Sequence, residues 1–126
     1  MGHTPGPYIH DGYVRNDTLW AAHIYAGYVG VYNVSNKANP VLLATQNTTN
    51  NFPHNTWLST SGRALFTTDE VSNSYLTSYD VSDVTNIFEL DRIKAPVSTL
   101  LKSIILVAFD SYYQAYISIE QPARAS

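Results

Sequence analysis

Apolar and polar residues alternate with period two through two stretches of the chain. In the first, Tyr28, Gly30, Tyr32 and Val34 alternate with Val29, Val31 and Asn33; in the second, Tyr75, Thr77, Tyr79 and Val81 alternate with Leu76, Ser78 and Asp80. Alternation sustained by Tyr and Val predicts strands, because successive side chains of a strand leave opposite faces. The stretches are also copies of each other. Tyr32-Asn33-Val34-Ser35-Asn36 is echoed 47 residues on by Tyr79-Asp80-Val81-Ser82-Asp83, and at the same spacing Asn39 meets Asn86 and Leu43 meets Leu90. Upstream, His10-Asp11-Gly12-Tyr13-Val14 aligns with His54-Asn55-Thr56-Trp57-Leu58 at a spacing of 44, so a three-residue insertion separates the two blocks.

A period in the middle forties, built from short alternating segments, predicts an all-β chain of four-stranded antiparallel units. Such a unit is the blade of a β-propeller, and this chain reads as a partial one. Each unit contains a strand opening at the His-Asp or His-Asn pair and another over Leu19 to Ile24 or Ala64 to Thr68. The Tyr-rich strand follows, and then one over Val41 to Thr45 or Phe88 to Arg92. Asn16-Asp17 and Ser61-Gly62 suit tight hairpins, since these residues tolerate left-handed backbone. In Asn33-Val34-Ser35 and Asp80-Val81-Ser82 a short polar side chain can accept from the N–H two residues on and end the strand. The resulting division is 1–7 leader or linker, 8–50 first blade, 51–96 second blade, and 97–126 a divergent or incomplete third unit and tail. In that last part Leu100 to Phe109 and Tyr112 to Ile119 read as strands.

Composition narrows the partners. Charged residues are 13% of the 126, about half the ~25% of a soluble domain, so Asn, Ser and Thr carry the solvation. The net charge is −3 with the basic residues scattered, which argues against nucleic acid as a partner. The absence of cysteine removes disulfides, thiolate metal sites and a cysteine nucleophile. The apolar run Ile104 to Phe109 falls far short of the ~20 residues of a membrane span, and the N-terminus has no stretch of signal-peptide length.

His10 and His54 are the sharpest chemical hint, because they occupy equivalent positions at the start of the strand expected innermost in each blade. In a full ring, imidazoles repeated there converge on the central channel and can ligate a transition metal, with Asp11 and Asn55 orienting the rings. The structural alternative, favoured here, has each imidazole bonding a backbone carbonyl of the neighbouring blade. His23, inside a strand, reads as a packed residue, and His3 lies in the Gly- and Pro-rich leader. Asp69 and Glu70 place two carboxylates at a strand end, where a cation or polar ligand can bind. Adjacent strand residues diverge, so they do not form an acid–base couple. Trp57, Tyr13, Tyr112, Tyr113 and Tyr116 can stack on a carbohydrate or peptide, or else pack between blades. The chain contains no nucleophile elbow, zincin helix, phosphate-binding loop or dinucleotide fingerprint, so no catalytic residue is assigned.

The run His54-Asn55-Thr56-Trp57-Leu58, then Leu65-Phe66-Thr67-Thr68-Asp69-Glu70, then Tyr79-Asp80-Val81-Ser82-Asp83 resembles the LVIVD-repeat β-propellers, especially the secreted bacterial choice-of-anchor B proteins. The resemblance covers roughly residues 8 to 96. It implies an extracellular or surface-anchored propeller, often joined to a separate anchoring segment; the chain itself reads as a binding or scaffold module, with no cofactor predicted beyond the transition metal that His10 and His54 could hold. Its expected partners are neighbouring blades, further copies joined through open sheet edges, and a protein or carbohydrate ligand. It also implies a third His-Asn strand, whose absence beyond Leu100 leads to the expectation of a truncated or frameshifted chain. Two alternatives accompany this reading: a metal-dependent site on the channel of a complete ring, and a nonfunctional fragment.

Overall fold

The computed structural model describes residues 6–94, which form eight strands. These are β1 (Asp11–Arg15), β2 (Thr18–His23), β3 (Tyr28–Asn33), β4 (Val41–Asn47), β5 (Pro53–Leu58), β6 (Ala64–Asp69), β7 (Tyr75–Asp80) and β8 (Phe88–Lys94). They make two four-stranded antiparallel meanders, β1-β2-β3-β4 and β5-β6-β7-β8. The chain is all-β over these residues, with strands where the alternation placed them. β4 and β8 run two residues further than expected, because their ladders to β3 and β7 continue to Asn47 and Lys94. The strands expected beyond residue 96 lie outside the described residues. Among the described residues no helix is long and apolar enough to cross a membrane.

The turns have the predicted chemistry. Asn16 and Asp17 both hold positive φ, 51° and 60°, as a two-residue hairpin requires, and Gly62 sits at φ 78° in the corresponding turn of the second sheet. Asn33 Oδ1 accepts from the Ser35 N–H at 2.9 Å, and Asp80 Oδ1 accepts from the Ser82 N–H at 3.0 Å, so both third strands end in the same side-chain turn.

The sheets pack face to face, with β5 against β1 and β2. Trp20, Val29 and Val31 from the first sheet meet Leu58, Leu65, Tyr79 and Val81 from the second in one buried cluster. Burying a large apolar side chain contributes about 1.5–3 kcal/mol, against about 1 kcal/mol net for a hydrogen bond. Apolar burial therefore supplies most of the adhesion, and the polar contacts choose the register. Thr56 Oγ1 donates to the Trp20 carbonyl at 2.8 Å, and Arg15 donates from Nη1 to the carbonyls of Ser59 and Thr60 at 2.8 and 3.2 Å. On its other face the second sheet has a separate cluster of Ala64, Phe66 and Leu76, flanked by Trp57, Leu90 and Ile93.

The residue that ends the second strand of each sheet ties down the segment leading into that sheet. In the first, fully buried His23 donates from Nδ1 to the Tyr8 carbonyl at 3.1 Å and accepts at Nε2 from the Tyr32 hydroxyl at 2.8 Å. A carbonyl can only accept, so this pair of contacts selects the Nδ1–H tautomer. Gly30 lies under this ring, and a Cβ there would stand 2.8 Å from His23 Nε2, so no side chain fits. In the second sheet the same place is held by Asp69, 1% exposed. Its Oδ2 accepts from Thr48 Oγ1 at 3.0 Å and from the N–H groups of Asn50 and Phe52 at 2.5 and 3.4 Å.

Tyr32 and Tyr79 are equivalent, both buried, and differently satisfied. The Tyr32 hydroxyl has His23, whereas among the described residues the Tyr79 and Thr67 hydroxyls meet no partner in good hydrogen-bond geometry, although Thr49 and Thr67 stand near enough to the Tyr79 phenol to favour its ionised form slightly. Burial pushes both phenols above their ordinary value. Each is therefore protonated in the folded chain at a pH where the unfolded chain ionises it. Their contribution is intact below about pH 10 and is lost as pH rises through the folded values. Tyr32→Phe is expected to cost about 1–2 kcal/mol in denaturant melts at pH 7, because it strips a buried imidazole of its donor. Tyr79→Phe is expected to be neutral or stabilising by up to about 1 kcal/mol, and to flatten the fall in stability between pH 9 and 11.

Candidate functional site

β1 and β5 bring their leading residues together. His10 joins the first sheet through its N–H to the Ala22 carbonyl at 2.8 Å, just ahead of β1. His54 sits where the β5–β6 register shifts between Pro53 and Asn55, so it is the extra residue of a β-bulge. Bulges re-aim side chains in this way, often beside functional sites. The two imidazoles lie with ring centroids 4.9 Å apart, and His10 Nε2 is 3.0 Å from His54 Nδ1.

Glu70 completes the group. It is the first residue beyond β6, anchored by its N–H to the Phe52 carbonyl at 3.0 Å, which carries it alongside the start of β5. Its Oε1 lies 2.7 Å from His54 Nδ1 and 3.8 Å from His10 Nε2. The side chains of His10, His54 and Glu70 are 31%, 21% and 38% exposed, so the cluster is open to water on one side. Three potential ligand atoms, one per residue, lie within 4.8 Å of one another.

The other predicted residues are near this group but occupied elsewhere. Asn55 Nδ2 donates to Asp11 Oδ2 at 2.9 Å, and Thr68 Oγ1 donates to Asn55 Oδ1 at 3.2 Å. Asp11 is thus a link between sheets, engaged with Asn55 instead of orienting an imidazole. Asp69 is buried in the cap over residues 48–52, so it is separated from Glu70 in environment and in function. Nor does His10 reach a carbonyl of the second sheet, as the favoured expectation had it; its ring meets a second imidazole and a carboxylate. His23 is packed and hydrogen-bonded. Tyr13 and Trp57 lie against each other across the two sheets, with centroids 4.6 Å apart, and Arg15 stands over the Tyr13 ring at 5.4 Å. The other aromatic candidates, Tyr112, Tyr113 and Tyr116, lie outside the described residues.

Sequence reasoning did not join Glu70 to the histidines. Its signal was the hairpin itself: a turn at Ser61-Gly62 sends the end of β6 back beside the start of β5. The step from Asp69 to Glu70 as the residue reaching His54 depends on the bulge, which no residue type announces.

No protein-family model matches this chain, and no curated protein matches it.

The Asp11–Asn55 hydrogen bond ties β1 to β5. Asp11→Ala and Asn55→Ala are each expected to lower stability by about 1–2 kcal/mol, and the double variant to fall short of the sum. Thermal or urea melts of the four proteins in the cycle measure this coupling, and full additivity would refute the link.

Proposed function

We propose that this chain contains two consecutive blades of an LVIVD-type β-propeller, of the kind found in choice-of-anchor B proteins. It works outside the cell or at its surface as a binding and scaffold module, without catalysis of its own. One observation carries the reading: residues at equivalent positions of the two sheets touch each other. His10 meets His54, Asp11 meets Asn55, and Arg15 meets Ser59, each pair 44 residues apart. The Tyr13 and Trp57 rings meet, tilted at 60°, at the same spacing. Under rotation about an axis a point moves in proportion to its distance from that axis, so only residues close to it can contact their own copies. Contacts of this kind along β1 and β5 support a hub beside the first strands, with β4 and β8 at the rim.

The outer strands support the partner part of the reading. β4 and β8 each pair with one strand among the described residues, and they present Val41, Leu42, Leu43 and Phe88 at 49%, 42%, 45% and 40% exposure. Apolar side chains on an unshared edge favour strand addition or association with further copies. Between the sheets a groove of about 470 Å³ runs along Leu43 to Gln46 and Val84 to Ile87, a surface open to a protein or carbohydrate ligand.

The two blades described fall short of the about four that close a ring, so the 126-residue chain is expected to associate with other copies through its exposed sheet edges. Size exclusion with light scattering at micromolar concentration is expected to give a discrete oligomer that melts cooperatively. A monomer with a cooperative melt would overturn the ring. A chain with no cooperative transition would instead be an unfolded, nonfunctional fragment. Protease treatment of intact producing cells is expected to remove the protein, and protection until lysis would refute the extracellular placement.

A further inference from the structure

His10, His54 and Glu70 aim three potential ligand atoms at one another, all within 4.8 Å. If the proton sits on His54 Nδ1, it must serve the Glu70 carboxylate at 2.7 Å and the His10 Nε2 at 3.0 Å together. If it sits instead on His10 Nε2, it is donated to His54, and the Nδ1 lone pair then faces a carboxylate oxygen at 2.7 Å. With both rings neutral, a single proton among these three atoms is shared, and the remaining lone pairs turn to the solvent on the open side of the cluster. A cation placed among them satisfies every lone pair at once.

The spacing suits a particular class of ion. Tetrahedral zinc with bonds of about 2.0–2.1 Å holds its ligand atoms about 3.3 Å apart. The separations here, 2.7, 3.0 and 3.8 Å, scatter about that value, so side-chain shifts of a few tenths of an ångström suffice. Two imidazole nitrogens and one carboxylate oxygen favour a first-row transition ion over calcium or magnesium, which take oxygen ligands. The solvent-exposed side leaves a fourth position for water. We infer that His10, His54 and Glu70 form a zinc site that clamps the two sheets at their inner ends.

The clamp follows from where the ligands originate. His10 belongs to the first sheet, and His54 and Glu70 to the second, so a bound ion crosses the interface and binds only while the sheets are docked. Binding to the docked state alone stabilises it in proportion to the logarithm of zinc concentration over the dissociation constant. Two sheets supply the whole site, so a single chain is sufficient and no closed ring is required. The inference is thereby independent of the propeller reading.

The test uses the full chain, stripped with chelator and titrated with zinc chloride by calorimetry, with the metal content of the dialysed protein measured in parallel. One zinc per chain is expected, together with a rise in melting temperature and, on cobalt substitution, the visible absorption of a tetrahedral site. His10→Ala and Glu70→Gln are each expected to weaken zinc binding at least about 100-fold, since even groups that only orient a ligand are worth 10–100-fold. Both should also abolish the zinc-dependent rise in melting temperature while keeping the β-sheet circular dichroism spectrum. His3→Ala serves as the control and should bind as the parent does. Failure to take up stoichiometric zinc, or equal affinity in His10→Ala and the parent, overturns the site. Zinc uptake by a monomer would uphold it while the ring reading fails.

Discussion

Contact between like positions of the two sheets is the constraint on which the rest of this structure depends. The first strand of each sheet must lie beside its own copy, because both faces of a four-stranded meander carry apolar side chains that one sheet cannot bury alone. Trp20, Val29 and Val31 are buried together with Leu58, Leu65, Tyr79 and Val81 of the next sheet. Once that interface forms, Asp11 faces Asn55 and Tyr13 faces Trp57, and the two histidines are brought together as a consequence.

Repetition of the backbone does not require repetition of the chemistry. His23 and Asp69 hold the same place and do the same work with opposite polarity. One donates to a carbonyl and the other accepts from N–H groups, and each fixes the segment that leads into its sheet. Gly30 is bare because an imidazole lies over it, whereas its counterpart Thr77 carries a hydroxyl that meets Thr49 at 2.7 Å. The fold asks only that the leading segment be tied down and that the buried polar atoms be matched locally. Tyr79, whose hydroxyl has no well-aligned partner among the described residues, marks where the second copy meets that demand less completely than the first.

The same freedom allows an asymmetric site at a symmetric place. Glu70 follows Asp69 at the end of β6, where the first sheet has Ile24 after His23, so a carboxylate is present at one of the two junctions only. The proposed zinc site is therefore a property of this pair of sheets and not of every repeat. Its position at the interface makes metal binding and sheet docking a single thermodynamic event.

Much of the fold was legible because strand periodicity, turn residues and repetition are local or one-dimensional signals. Alternation in Tyr28 to Asn33 and Tyr75 to Asp80, positive-φ residues at Asn16-Asp17 and Gly62, and the echoed Asn33 and Asp80 turns each act over a few residues. The amino acids alone were enough to place them. The repeat marked His10 and His54 as equivalent positions, but the favoured expectation gave each a backbone carbonyl and not the other imidazole. What the sequence by itself could not determine was which neighbours those side chains would meet. Asp11 turned from the imidazoles to Asn55, Asp69 was drawn into a buried cap, and a one-residue bulge at His54 brought Glu70 in as the third member of the cluster. Each outcome was decided by the docking of one sheet on another, since a ladder slip of a single residue exchanges one face for the other and only tertiary packing selects between them.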